Sequence, residues 1–229
     1  MAEGSSSLRH VRLITDTVLA LAPRSVVDLG MGTGKYGFLL REQHDFARVH
    51  WGEEPWRLRL VGVEGYESYV TEVQRKVYDE VVVADVREFL ARTDERFDVA
   101  LALDVLEHFQ PADGEACVAA ALERAKHLVV LTPRGFYKQE GHDNTLERHL
   151  SWWPARALEA TAARLGAHAS VARSLGATVA VLSHDRAAPI ATDRPVYETM
   201  IKARDRLVPD LWWSRIRGKA GPTVSLEAG

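Results

Sequence analysis

At 229 residues, with 46% hydrophobic and 27% charged side chains, the chain is long enough for one full-sized α/β domain, and its composition excludes disorder, collagen-like repetition and residence in a membrane. The net charge of -3, from 29 Lys and Arg against 32 Asp and Glu, gives no general pull toward nucleic acid or anionic lipid. One cysteine, Cys117, cannot close an internal disulfide and reads as a small core filler, and the opening Gly- and Ser-rich residues carry no secretion signal, so a cytoplasmic protein is expected.

Leu8, Val11, Ile14, Val18 and Leu21 recur at helical spacing until Pro23, which predicts an amphipathic lead-in helix over residues 1–23. Ser25-Val-Val-Asp-Leu then reads as a strand opening into a glycine cluster, followed by a helix from Tyr36 to Glu42. The segment from Phe46 to Arg59 lacks clean periodicity and reads as a connection. Beyond it strands and helices alternate: strand Leu60 to Val63, helix Ser68 to Tyr78, strand Glu80 to Ala84, helix Val86 to Arg92, strand Phe97 to Leu103, helix Gly114 to Ala125, strand His127 to Leu131. Arg134 to Arg148 is a polar stretch, Pro154 to Leu165 resumes helical spacing, and Ala167 to Arg173 with Ala177 to His184 form a hairpin through Leu175-Gly176. A helix from Val196 to Arg206 and a basic tail follow. The pattern predicts a doubly wound, mostly parallel seven-stranded sheet ending in an antiparallel hairpin, with the main domain over 24–184 and the 185–229 segment as part of it or as an interface.

The run Asp28-Leu-Gly30-Met-Gly32-Thr-Gly34-Lys-Tyr-Gly37 puts closely spaced glycines between a strand and a helix, where a ligand can approach the backbone and the helix start presents unpaired N–H groups. Read from Gly32, it satisfies the G-x-G-x-x-G dinucleotide fingerprint, so a nicotinamide or flavin enzyme is one candidate. Against that stand Asp28 ahead of the first glycine and Glu64, which comes later than the ~20 residues expected for a ribose-binding acid.

The same run is similar to the first motif of the class I methyltransferase family, a strand followed by acid-x-G-x-G-x-G, matched by Asp28, Gly30, Gly32 and Gly34. The resemblance implies S-adenosylmethionine as cofactor, with Asp28 orienting its amino group and the glycines making room for its homocysteine tail. It implies that Glu64, in Val61-Gly-Val-Glu64-Gly, takes the ribose hydroxyls, that Asp85 takes the adenine amino group, and that Val86 packs by the ring. Asp104-Val-Leu-Glu107-His108-Phe109 resembles the D-x-x-E-H-F signature of the family, and Asn144-Thr-Leu-Glu147-Arg-His149-Leu-Ser151-Trp-Trp153 resembles an N-x-x-E-x-H-x-S-x-W pattern of small bacterial members.

Within this frame His108 and Asp104 are the candidate catalytic residues. His108 is either a base near the transferred methyl or a histidine that fastens the fourth loop. Tyr36, Arg134, His149 and Trp153 are candidates for acceptor contact. His142 and His149, with Glu140, Asp143 and Glu147, match no metal-ligand spacing, so no metal site is expected. The basic residues of the tail, from Lys202 to Lys219, read first as a solvated face. The expected activity is methylation of a small-molecule oxygen or nitrogen, on a sugar or secondary metabolite; nucleic acid and membrane are not expected partners, and a homodimer is open. The competing readings are a non-catalytic scaffold of the same fold and a nicotinamide oxidoreductase.

Overall fold

The structure, a computed structural model, describes residues 7–46, 56–140, 143–174, 176–185 and 188–191. Chain order runs α1 (Val11–Ala20), β1 (Ser25–Leu29), α2 (Lys35–Arg41), β2 (Arg59–Glu64), α3 (Glu72–Val77), β3 (Glu80–Val83), α4 (Val86–Arg92), β4 (Phe97–Leu103), α5 (Pro111–Arg124), β5 (Ala125–Pro133), α6 (Ala155–Arg164), β6 (His168–Ser174) and β7 (Ala177–Ser183). The seven strands lie in one sheet in the order β3-β2-β1-β4-β5-β7-β6. β7 runs antiparallel between β5 and β6, and the other neighbours are parallel, as the strand–helix alternation predicts.

The short β-branched runs become central strands because both of their faces are covered. Val27 and Leu29 face a core with Leu90, Val118, Leu122 and Leu158 of α4, α5 and α6. Val26 points the other way, into a core with Ile14 and Val18 of α1, Leu40 of α2 and Tyr78 after α3. Each fully buried Val, Leu or Ile contributes on the order of 1.5–3 kcal/mol, so the alternation of Val26 and Val27 across the sheet fixes the register of β1. In that register Leu29 stands opposite both Val63 and Ala102, which brings the C-terminal ends of β1, β2 and β4 side by side. Among the described residues no helix is long and apolar enough to cross a membrane.

The predicted helix from Ser68 to Tyr78 is in fact two pieces. A 3-10 turn covers Glu67–Tyr69, Val70 is extended, and α3 starts afresh behind Thr71. Thr71 and Gln74 form a reciprocal capping box, which supplies the orphan N–H groups of a new helix start and so makes the break stable. α5 begins earlier than predicted, at Pro111, whose missing N–H costs nothing in the first turn. The expected helix from Val196 to Arg206, the basic tail and most of the connection after Phe46 lie outside the described residues.

Candidate active site

The glycine turn between β1 and α2 is built from backbone conformations that side chains resist. Gly30, Gly32 and Gly34 have φ of 71°, 53° and 81°, in the left-handed region. At Gly30 a Cβ would also come within 2.9 Å of Val105 Cγ2. The turn is tied to β2: the Gly30 and Met31 N–H groups donate to the Val63 carbonyl, and Gly32 N–H donates to Glu64 Oε2 at 2.8 Å. Glu64 Oε1 accepts from Tyr66 N–H at 2.8 Å, so each carboxylate oxygen holds one backbone donor and retains a second acceptor position.

Four acids close the strand ends. Asp28 is buried and accepts a hydrogen bond from the Tyr78 hydroxyl at 2.6 Å. Burial raises its pKa to about 6, helped by the charge of Glu64 and opposed by the Tyr78 bond and Lys35. Burial likewise pushes Glu64 up, against the backbone N–H bonds, those of Tyr66 and Gly32 foremost, that favour its ionised form. Asp85 caps α4, accepting from Arg87 N–H at 2.8 Å, and pairs with the Arg87 guanidinium, Nη2 to Oδ2 2.7 Å; this bonding holds its carboxyl below the usual range. Asp104, at the end of β4, has φ of 56°, a conformation that only Gly, Asn and Asp adopt with ease.

Asp28, Gly30, Gly32, Glu64, Asp85, Val86 and Asp104 all line one cavity of about 730 Å³, within the usual range for small-molecule and cofactor pockets. Gly34 stands behind the turn, against Gln74 and Tyr78. On the far wall are Glu107, His108 and His149. His108 Nδ1–H donates to the Arg148 carbonyl at 3.2 Å, and His149 Nδ1–H donates to the Tyr137 carbonyl at 2.9 Å; a carbonyl only accepts, which fixes both tautomers. Burial lowers both imidazoles, His149 to about 4 with a further push from His108. Tyr36 also lines the cavity, with its hydroxyl buried and without a hydrogen-bond partner among the described residues.

Two expected acceptor contacts are not brought to this cavity. Trp153 is fully buried, donates from Nε1 to Leu106 O and Ser151 Oγ, and packs on Gly114, so it holds the fourth loop from below. Arg134 is buried, with its carbonyl accepting from Trp152 Nε1. Neither lines the cavity. Aromatic bulk in the Trp152-Trp153 pair satisfies the core before it can face a ligand.

A family profile described as "Methyltransferase domain" matches residues 7–168, which takes in the glycine turn, all four acids and the far wall. The chain belongs to this family. No curated protein matches the sequence. Among solved structures, an O-methyltransferase family protein from Burkholderia thailandensis is similar at 16% identity and TM-score 0.53, over 78% of this chain and 58% of that one. The chain thus spans little more than half the length of that relative. Magnesium protoporphyrin IX methyltransferase from Synechocystis PCC 6803, solved with S-adenosylhomocysteine, is similar at 15% identity and TM-score 0.51, over 80% of this chain and 90% of that one. NcsB1, an O-methyltransferase from neocarzinostatin biosynthesis solved with S-adenosylhomocysteine and 1,4-dihydroxy-2-naphthoic acid, is similar at 16% identity and TM-score 0.53, over 74% and 52% of the two chains. At these identities the likeness is one of fold.

The cavity and its supports include residues that no sequence argument singled out. Tyr78 stabilises the ionised form of Asp28, Arg87 orients Asp85, and Lys35 approaches the Tyr36 ring at 5.0 Å to its centroid. Lys35 and Gly37 stand inside the glycine motif, which was the signal available for Lys35. Tyr78 and Arg87 have none, because their partners lie on other strands or depend on a cap geometry.

Proposed function

We propose that the protein transfers the methyl group of S-adenosylmethionine to an oxygen or nitrogen of a small-molecule acceptor, such as a sugar or secondary metabolite, in a bacterial cytoplasmic setting. One observation carries the reading: two buried carboxylates, Asp28 and Glu64, flank the glycine turn at the C-terminal edge of the sheet and line the same cavity. That pair suits a ligand with a cationic amino group at one end and a vicinal diol in the middle. The spare acceptor positions on Glu64 fit the diol, and the Asp28 carboxylate fits the amino group. Gly30 and Gly32 give the methionine part access to the backbone, Gly34 turns the chain into α2 behind them, and Asp85 with Val86 is assigned to the adenine.

When bound, the cofactor supplies a methyl group already activated by the sulfonium, so the protein's work is mostly positioning. Asp104, whose backbone is turned by its left-handed φ, and His108 are assigned to the reacting end. With Nδ1–H engaged by Arg148, His108 offers its Nε2 lone pair to the acceptor side. Tyr36 and His149 are assigned to acceptor contact. The nicotinamide alternative is disfavoured by charge: a pyrophosphate at this turn would meet the carboxylates of Asp28 and Glu64, and like charges in a buried site repel strongly.

Calorimetric titration with S-adenosylhomocysteine, with NADH, and with a Glu64→Ala variant tests the proposal. Binding of the homocysteine compound alone, lost in the variant, is expected. Binding of NADH instead would overturn it, and binding of neither would favour a scaffold role.

A further inference from the structure

We propose that Glu107, His108 and His149 form a binding site for a divalent transition-metal ion in the wall of the cavity. One ligand-capable atom from each of the three lies within 4.8 Å of the others, a spacing one ion can bridge. All three residues line the cavity.

The second observation is independent of that proximity. Glu107 is 2% exposed, and neither Oε1 nor Oε2 has a hydrogen-bond partner among the described residues. Nearly all buried polar atoms in folded proteins are satisfied, and an uncompensated buried carboxylate is among the most costly groups a fold can hold. Its own main chain is well used, since the Glu107 carbonyl accepts from both Leu150 and Ser151 N–H, so the side chain is held where it is by the loop that also brings His149. A cation between the carboxylate and the two imidazoles answers the orphaned oxygens directly.

The histidines are prepared for the same role. Each donates Nδ1–H to a backbone carbonyl, His108 to Arg148 and His149 to Tyr137. Metal-bound histidines are commonly oriented through such a bond, which fixes the ring and leaves Nε2 as the atom with a lone pair to give. The rings stand edge to face with centroids 5.0 Å apart, so neither blocks the other.

Two nitrogens and one carboxylate select the ion class. Mg²⁺, Ca²⁺ and Mn²⁺ favour oxygen shells, whereas imidazole suits Zn²⁺, Fe²⁺, Ni²⁺ and Cu²⁺, with Co²⁺ as a spectroscopic stand-in for Zn²⁺. Three protein ligands leave coordination positions open, the arrangement of a site that also takes a substrate oxygen. An acceptor carrying adjacent hydroxyl or carbonyl oxygens follows for the reaction, with the ion rather than the His108 imidazole lowering the hydroxyl pKa. That consequence rests on the methyltransferase reading; metal uptake does not.

The test uses the full chain stripped with a chelator and titrated with Co²⁺, without cofactor or acceptor, followed by calorimetry and by the visible absorption of the bound ion. One equivalent is expected, displaced by Zn²⁺, with affinity lowered at least about 100-fold in Glu107→Gln and in His149→Ala and unchanged in His184→Ala, an exposed histidine elsewhere. Zn²⁺ added to wild-type protein should shift the side-chain ¹⁵N signals of two of the nine histidines, a readout that needs no variant to fold. No uptake by the wild-type chain, equal uptake by Glu107→Gln, or shifts in other histidines would overturn the site. Each of these results is independent of whether S-adenosylhomocysteine binds.

Discussion

Tyr78 reaches across from the end of α3 to donate its hydroxyl to Asp28 at 2.6 Å, and two glycines make room for its ring. A Cβ on Gly37 would lie 2.3 Å from Tyr78 Cζ, and one on Gly62 would lie 2.9 Å from Tyr78 Cδ1. Gly37 satisfies the third position of the dinucleotide fingerprint, yet here it accommodates a tyrosine. Gly37→Ala, which in an exposed helix would add stability, should instead destabilise by about 1–3 kcal/mol through overpacking. Tyr78→Phe should cost about 1–3 kcal/mol by leaving a buried carboxylate without its donor. Thermal or denaturant unfolding of both variants checks this, and a neutral Gly37→Ala would contradict the packing.

Asp28 sets a pH dependence of two opposite signs. Its folded pKa of about 6, against an ordinary 3.8, means that the folded chain binds more protons than the unfolded one between about pH 4 and 6. Stability of the ligand-free protein from this group is therefore greatest below that window and declines as pH rises through it. Binding of a cationic amino group runs the other way, tightening up to tenfold per unit as pH climbs to about 6 and levelling above. Titrations with S-adenosylhomocysteine from pH 5 to 8 should show this rise in the wild type and a flat, weaker profile in Asp28→Asn. Parallel profiles would remove Asp28 from the ligand's amino group.

Arg41 is 1% exposed and donates to Val77 O at 2.8 Å, Asp45 Oδ2 at 2.9 Å and Asp79 Oδ2 at 2.7 Å. Burial works against ionising Asp45, and the hydrogen bonds from Arg41, Arg57 N–H and His44 outweigh it, holding the carboxyl below its ordinary range. Arg41→Met should destabilise by about 3–5 kcal/mol, because it leaves Asp45 charged and buried without its cation. Replacing Asp45 as well, in Arg41→Met/Asp45→Leu, should recover part of the loss. Equilibrium unfolding of the single and double variants measures the coupling, and additive losses would argue against it.

Asp104 holds a left-handed φ of 56° at the mouth of the cavity. Asp104→Gly relieves that conformation and should leave stability within about 1 kcal/mol of wild type, while turnover with any accepted substrate falls sharply. Asp104→Ala should lose both. Paired melting and single-turnover measurements separate the two effects, and full activity in Asp104→Gly would assign the acid to the turn alone.

The sheet and the glycine turn were legible because their signals are local. β-branched runs ending near Asp28 and Glu64, and the apolar run Val99 to Leu103 before Asp104, mark strand ends directly, and the family profile covers the stretch that holds them. The break before α3 was legible in principle, since Thr71-Glu-Val-Gln74 is a capping-box pattern, but the helical spacing on either side conceals it. Arg41 was not legible: its partners are 4, 17, 36 and 38 residues away, and a lone arginine in an amphipathic helix reads as surface. Glu107 sat in plain view inside D-x-x-E-H-F, but its burial depends on a loop that returns some forty residues later. Trp153 and Arg134 fall outside the cavity for a related reason: each lies a few residues from a lining residue in sequence, Leu150 and Tyr137, but is buried away from the cavity surface.

The joint between the fourth loop and the 150s also governs the order in which the protein takes shape. Leu150 and Ser151 N–H close on the Glu107 carbonyl, and Ser151 Oγ donates to Leu106 O across a separation of 45 residues. The glycine turn, by contrast, is bound to β2 by contacts within the first third of the chain. Distant contacts repay their loop-closure entropy late, so the glycine turn is expected to form during early collapse and the Glu107–Ser151 joint only after α5 and β5 are in place between them. A ribosome releasing this chain would expose the glycine turn and β2 before residues 150 and 151 existed to close on Glu107.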